Sequence, residues 1–314
     1  MTSTLNFFLS PGRTGTQWIG DRLARHYSDI ATVEHEPIHA DYAPRKALRN
    51  PNLGALANQL PTVKQQLEYI ETLASEGKHY IEAGWCVFPW IPWFITRFPG
   101  RVRLVHFTRH PVHFAYSTES HAFYQPELRD DGYTRNAQLT PTDPGVLYGD
   151  YADRWGAMSP FEKCLYQWLE VNAYILEVAD RHPNVPYLHM RMEDLTADKP
   201  DSWQTLLNFL QLPADRLPSD PERTERVDQY RFLIDRVADP KLVTRHPRVV
   251  EMATTLGYDA LAVDRKAAAR RYERSATRRI ARNLVRAALG RYYNPIRRRM
   301  VERRQARNIA RASQ

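Results

Sequence analysis

Apolar and polar positions along the chain change period several times, and each change marks an element. "LNFFLS" (Leu5–Ser10) is a short apolar run closed by Pro11-Gly12, the pattern of a buried strand entering a turn. From Thr16 to His26 the spacing becomes helical, with Trp18, Ile19, Leu23 and Tyr27 on one side. Residues 62–76 ("TVKQQLEYIETLASE") predict a helix stopped at Gly77. "HYIEAG" and "VRLVHFTRH" (Val102–His110) read as strands, and Pro111 takes the favoured first position of a helix after the second. Further on, 160–182 predict a long helix, "VPYLHM" a strand and 201–211 ("DSWQTLLNFLQ") another helix. Tyr124–Asp150 is polar, rich in proline and glycine and without a period; a loop of that length is usually functional, here a lid or a set of acceptor contacts. Strands alternating with helices predict an α/β fold of three layers, a parallel sheet flanked by helices, with ligands at the carboxyl ends of the strands.

Charge divides the 314 residues unevenly. The whole carries 44 Lys and Arg against 36 acids, but 17 of those bases and only 2 acids fall in residues 265–314. The remainder therefore holds 27 bases and 34 acids, a net of −7, beside a tail of +15. This predicts two parts: a domain over 1–264 and an arginine-rich helical extension over 265–314. In the extension Tyr272, Ala276, Ile280, Leu284 and Ala288 recur at every fourth position until Gly290 and Pro295. Such a helix packs on the domain with a solvated basic face, or lies on an anionic membrane at about 1 kcal/mol per basic residue near the surface. Nucleic acid is the weakest reading, because no base-reading module is recognisable.

The longest apolar stretch, "GWCVFPWIPWFI" (Gly84–Ile95), is too short to span a bilayer, and no basic segment precedes an apolar one at the N-terminus. Cys86 and Cys164 are the two cysteines, too few for a disulfide framework. The expected setting is cytoplasmic, with peripheral contact at the inner membrane face if the tail binds lipid.

The candidate chemistry starts in "PGRTGTQW". Two glycines let the backbone turn its N–H groups inward, and the following helix adds its N-terminal donors and dipole. Thr14 and Thr16 supply hydroxyls and Arg13 a guanidinium fork suited to phosphate oxygens. A tight turn with capping threonines is the bland alternative. The ATP/GTP loop G-x-x-x-x-G-K-[ST] is not met, since no Lys-Ser/Thr pair follows, which argues against a kinase or NTPase. In "TRHPVHFAYS", Arg109 ends a strand and Ser117 lies about two helical turns along, so both can converge on one anion.

Together these two segments resemble the PAPS-dependent sulfotransferases, which use 3′-phosphoadenosine 5′-phosphosulfate (PAPS). "GRTGTQW" is similar to the family's 5′-phosphosulfate loop, with Arg13 where many members carry lysine. "TRHPVHFAYS" is similar to its 3′-phosphate motif, R-[ND]-P-x-x-x-x-x-S, and "YLHMRMEDL" with "LLNFLQLP" to a later strand and helix. The resemblance spans roughly residues 5–258. It implies a P-loop-like sulfotransferase fold that moves a sulfuryl group from PAPS to a hydroxyl or amine acceptor, such as a carbohydrate or glycolipid, without a metal. The implied donor contacts are Arg13, Thr14, Gly15, Thr16, Gln17, Trp18, Arg109 and Ser117, with Arg13 stabilising the leaving phosphate. The implied base lies in "TVEHEPIHADY": Glu36 first, His35 second, Glu34 and His39 after them. A capping or packing role for His35 or Glu36 is the alternative.

Two family features are missing. The glycine-rich "RKGxxGDWK" segment of the cytosolic small-molecule branch does not appear, and Met192 stands where tyrosine is usual. Arg191 is either a cofactor contact or a surface or capping residue. His110 and His113 straddle Pro111 with no third ligand at helical spacing, a poor metal pair. Trp85, Phe88, Trp90, Trp93 and Phe94 read as core more readily than as an acceptor pocket. The runner-up functions are a P-loop-type kinase or NTPase, and a basic membrane- or nucleic-acid-binding protein with an inactive nucleotide site.

Overall fold

The computed structural model describes residues 3–129, 136–197, 200–216 and 234–273. Its centre is a five-stranded sheet of β1 (Leu5–Leu9), β2 (Ala31–Glu34), β3 (His79–Ala83), β4 (Val102–Thr108) and β5 (Tyr187–Arg191). The order is β2-β3-β1-β4-β5 and every pair is parallel. The expected α/β architecture is present, with one strand more than the periodicity predicts. β2 is the addition: its four residues are half-buried apart from Ala31, and Glu34 gives it no apolar run to read.

The sheet's two faces explain the runs of apolar residues. On β1, Leu5, Phe7 and Leu9 join the core on one side and Phe8 the core on the other; all are buried. On β4, Val102 and Leu104 face the first layer and Val105 and Phe107 the second. A strand covered on both faces has no solvent side, so alternation disappears from its sequence. Each fully buried Leu or Phe contributes about 1.5–3 kcal/mol of transfer free energy.

Helices α1 (Thr16–Tyr27), α2 (Pro61–Ser75), α3 (Ile91–Arg97), α4 (Pro111–Glu119), α5 (Pro160–Arg181), α6 (Pro200–Leu210), α7 (Pro247–Thr255) and α8 (Arg265–Tyr272) position the site. α5 begins with a capping box: Ser159 accepts from the Glu162 amide while the Glu162 carboxylate accepts from Ser159, and Pro160 follows. Its buried side fixes the end of β4, because Trp168 Nε1 donates to the Arg109 carbonyl at 2.9 Å. Asn172 Oδ1 meets His106 Nε2 at 2.8 Å one layer down. The segment after Tyr124 is tied to the same helix. Gln167 bonds to Tyr124, Ala137 and Leu139, and Glu170 accepts from the amides of Leu147 and Tyr148.

After β1 the chain moves toward β2 and β3, and after β4 it moves toward β5. The connections diverge between β1 and β4, which opens a crevice at their carboxyl ends. The turn after β1 and the Arg109 turn after β4 both lie there.

Of the helical stripe expected along the tail, Tyr272 is the one member among the described residues. α8 ends at Tyr272, and Glu273 turns to extended geometry with φ −79° and ψ 149°. Two bonds take it out of the helix: the Ile234 amide donates to the Tyr272 carbonyl, and the Glu273 carboxylate accepts from the Val237 amide. Residues 274–314, with the rest of the stripe, lie outside the described residues. Among those described, no helix is long and apolar enough to cross a membrane. Cys86 and Cys164 are buried free thiols.

Candidate functional site

Local backbone geometry shapes the turn after β1 as a candidate anion cradle. Gly12, Arg13 and Gly15 all have positive φ, at 84°, 52° and 85°. A β-carbon on Gly12 would lie 2.9 Å from the Trp85 ring, so glycine is required twice over, by conformation and by contact. Arg13 holds a left-handed conformation without that freedom, a strain of order 1–3 kcal/mol of the kind that collects at binding sites. Ser10 Oγ accepts from the Gly12 amide and pins the turn's start.

Gly15 is the N-cap of α1 and offers no side-chain acceptor, so the first-turn amides are left for a ligand. Thr14 Oγ1 is buried without a hydrogen-bond partner. An orphaned hydroxyl costs about 1–3 kcal/mol unless something binds it. That observation fits a phosphate or sulfate ester in the cradle. Thr16 is buried beside it; Gln17 is exposed, and Trp18 packs edge-on against Trp203 at 5.7 Å.

The second motif is joined physically to the first. Arg109 Nη1 donates to the Arg13 carbonyl at 2.8 Å, and Nη2 reaches the Tyr272 hydroxyl at 3.2 Å. Ser117, two turns into α4, bonds the same hydroxyl. Arg109 and Ser117 therefore converge on one oxygen, and that oxygen belongs to the first helix of the basic extension. α4 is aimed by its cap: His110 Nδ1 accepts from the Val112 amide, and Glu193 accepts from the His110 amide.

The base candidates lie at the end of β2 and in the turn that follows it. Glu34 is engaged inward, accepting from Gln66 Nε2 at 2.5 Å and Tyr80 Oη at 2.9 Å. His35 Nδ1 donates to the Ala83 carbonyl at 2.5 Å, which leaves Nε2 toward Glu36 Oε1 at 3.6 Å. Glu36 has φ 54° and sits against Gly84, where a β-carbon would come within 3.1 Å of the Glu36 side chain and amide. Burial raises the Glu36 carboxyl above its ordinary pKa, against the opposing charges of His35, Arg13 and His39. A partly desolvated carboxylate in the field of the Arg13 loop has the character of a general base. His39 is exposed on a short 3-10 turn.

Behind Glu36 lies a second carboxyl that the sequence does not single out. Glu82 is fully buried, paired in register with Glu34, and its Oε2 lies 3.1 Å from Tyr80 Oη. Tyr80 has one proton and two carboxylates beside it, so Glu82 must bring its own. Burial pushes its pKa up to about 8. An acid whose folded pKa exceeds its unfolded value binds extra protons when folded, so its stabilising share is lost as pH rises from about 4.5 to about 8. Glu82→Gln keeps the neutral shape and should flatten that slope, leaving the variant about 1–3 kcal/mol more stable than wild type at pH 9. Urea midpoints at pH 5 and pH 9 test this; equal slopes for both proteins would refute it.

With the geometry described, the chain can be set beside known proteins. No protein-family model matches it, and no curated protein matches it. Three solved structures are similar. The sulfotransferase from Alicyclobacillus acidocaldarius is 15% identical, with a TM-score of 0.47, over 82% of this chain and 97% of that one. The sulfotransferase domain of the Synechococcus PCC 7002 olefin synthase is 16% identical, with a TM-score of 0.43, over 82% and 95%. The sulfotransferase domain from the curacin biosynthetic pathway is 13% identical, with a TM-score of 0.43, over 82% and 98%. These likenesses concern the course of the chain alone.

The remaining sequence candidates have structural partners. His110 Nε2 donates to the Asp259 carbonyl at 2.8 Å, and its ring lies 5.1 Å from that of His113, whose pKa burial lowers to about 4. Among the described residues no group of His, Cys, Asp or Glu could hold a metal. Arg191 clamps the Asp194 carboxylate with two nitrogens and reaches the Gly257 carbonyl. Met192 lies against Gly15, 3.3 Å from where a β-carbon would stand. Trp85, Phe88, Trp90 and Phe94 are buried in the core, with Trp93 packed against it. Sequence reading misses Tyr272 as part of the site, although its place at the head of the apolar stripe marks it for burial. It also misses Gly84, whose position after β3 is the available signal.

Proposed function

We propose that this crevice transfers a sulfuryl group from PAPS to a hydroxyl or amine acceptor, of carbohydrate or glycolipid class. The observation that carries the reading is Arg109. One guanidinium holds the backbone of the turn after β1 and, together with Ser117, converges on a single oxygen, an arrangement suited to a second anion. A donor charged at both its 5′ and 3′ ends would bridge two such sites.

In this reading Glu36 takes the acceptor's proton as the acceptor oxygen or nitrogen bonds to sulfur. The bond from sulfur to the bridging oxygen of the 5′-phosphate breaks on the opposite side, and the electron pair stays with that oxygen. Arg13 and the Thr14 hydroxyl stabilise the charge that develops there. The products are the sulfated acceptor and 3′,5′-ADP. An arginine holds its proton, so its part is electrostatic.

Calorimetry with 3′,5′-ADP, 5′-AMP and ATP tests the donor. Wild type is expected to prefer 3′,5′-ADP. Arg109→Ala should weaken it about 10–100-fold, the loss of one or two charge-assisted bonds, with a smaller effect on 5′-AMP. No preference for the 3′-phosphorylated ligand would overturn the reading.

A further inference from the structure

The hydroxyl between Arg109 and Ser117 belongs to Tyr272, the last residue of α8, within the segment whose charge sets it apart from the domain. Tyr272 is 2% exposed. Its ring lies 6.2 Å from that of Tyr116, its carbonyl accepts from the Ile234 amide, and the next residue is bridged to Ile234. The side chain is thus fixed from both sides of its backbone, and its oxygen is the point on which the second anion site closes. Arg109 has only donors to offer, so without an anion those donors need an acceptor, and the Tyr272 oxygen supplies one.

We propose that Tyr272 is a specificity-determining residue of this site: its hydroxyl stays in place when a phosphate monoester enters and becomes a third donor to it. The inference rests on the donor reading above and deepens it by assigning the selection of a 3′-phosphorylated nucleotide to three residues rather than two. The phenol suits the task. Burial alone would raise its pKa, but the charges of Arg109 and Arg271, with the bonds from Arg109 and Ser117, bring it below its ordinary value. A phosphate dianion has acceptor oxygens enough for Arg109, Ser117 and Tyr272 at once, so the hydroxyl need not leave.

The test is Tyr272→Phe in the full chain, which keeps the ring against Tyr116 and removes only the oxygen. Calorimetric affinities for 3′,5′-ADP and 5′-AMP are compared with wild type, after thermal melts establish that both proteins are folded. The expected result is about a ten-fold weaker 3′,5′-ADP and an unchanged 5′-AMP, with Ser117→Ala giving the same selective loss. Tighter 3′,5′-ADP binding by Tyr272→Phe would mean that the hydroxyl competes with the phosphate, and would overturn the proposal. Equal losses for both nucleotides would reduce Tyr272 to packing and overturn it too. The donor reading fails separately, if wild type itself does not distinguish the two ligands.

Discussion

Replacing Glu36 by glutamine is expected to lower sulfuryl transfer about 10²–10⁴-fold while leaving 3′,5′-ADP binding nearly unchanged. The amide keeps the size of the side chain and its seat against Gly84 but cannot accept a proton. The loss should fall on kcat, because the interaction removed is made as the acceptor loses its proton. The pH profile carries independent information. The base must be ionised, and burial holds the Glu36 carboxyl above its ordinary pKa, so wild-type activity should fall with acidification at a pH above the usual carboxylate range. That limb should be absent from the residual activity of Glu36→Gln. His35→Asn separates the two candidates. With Nδ1 tied to the Ala83 carbonyl and Nε2 facing Glu36, His35 is placed to orient the carboxylate, and its loss should cost about 10-fold or less. An active Glu36→Gln beside an inactive His35→Asn would transfer the role of base to His35.

The two segments of the candidate site were legible because their chemistry is local. A turn that needs glycine at Gly12 and Gly15, and an arginine and serine spaced along strand and helix, are written in consecutive residues. The layers were legible for a related reason: Phe7, Phe8, Val105 and Phe107 are apolar because both faces of their strands are covered. What the sequence hid depends on contacts across long separations. β2 gains its place by pairing with β3, an arrangement that four residues with a terminal glutamate do not announce. Tyr272 meets Arg109 across 163 positions, and its carbonyl pairs with the amide of Ile234, 38 positions earlier. Glu82 shows the same limit. A glutamate inside "HYIEAG" looks like the solvent side of a strand, and only the register that sets it beside Glu34 shows why it must be neutral.

The charge division takes on a different meaning once Tyr272 is placed. The extension begins at Arg265 by composition, yet the helix that opens it ends with a side chain buried in the candidate site. Removing 265–314 would therefore remove part of that site along with the basic residues. A truncation after Glu273 leaves Tyr272 and its bridge to Ile234 intact, and is the sounder way to ask what the remaining arginines do.

Arg13→Ala is expected to reduce kcat about 10²–10³-fold, the scale seen when one preorganised donor is taken from a developing oxyanion. Arg13 shares the crevice with Glu36, whose carboxyl feels its charge, and its backbone carbonyl is held by Arg109. That anchor uses the main chain, so the alanine variant keeps it and loses only the guanidinium. Alanine also meets the same left-handed φ of 52°, which leaves the strain of the turn roughly constant. The effect should therefore read as charge and not as folding, and thermal midpoints of the two proteins should agree closely. Arg13→Lys restores a cation without the planar fork and should recover most of the rate. If Arg13 served the ground state instead, alanine would weaken 3′,5′-ADP and PAPS equally and leave kcat nearly intact. A lysine variant as slow as alanine would show that the fork, and not the charge, is what the leaving oxygen requires.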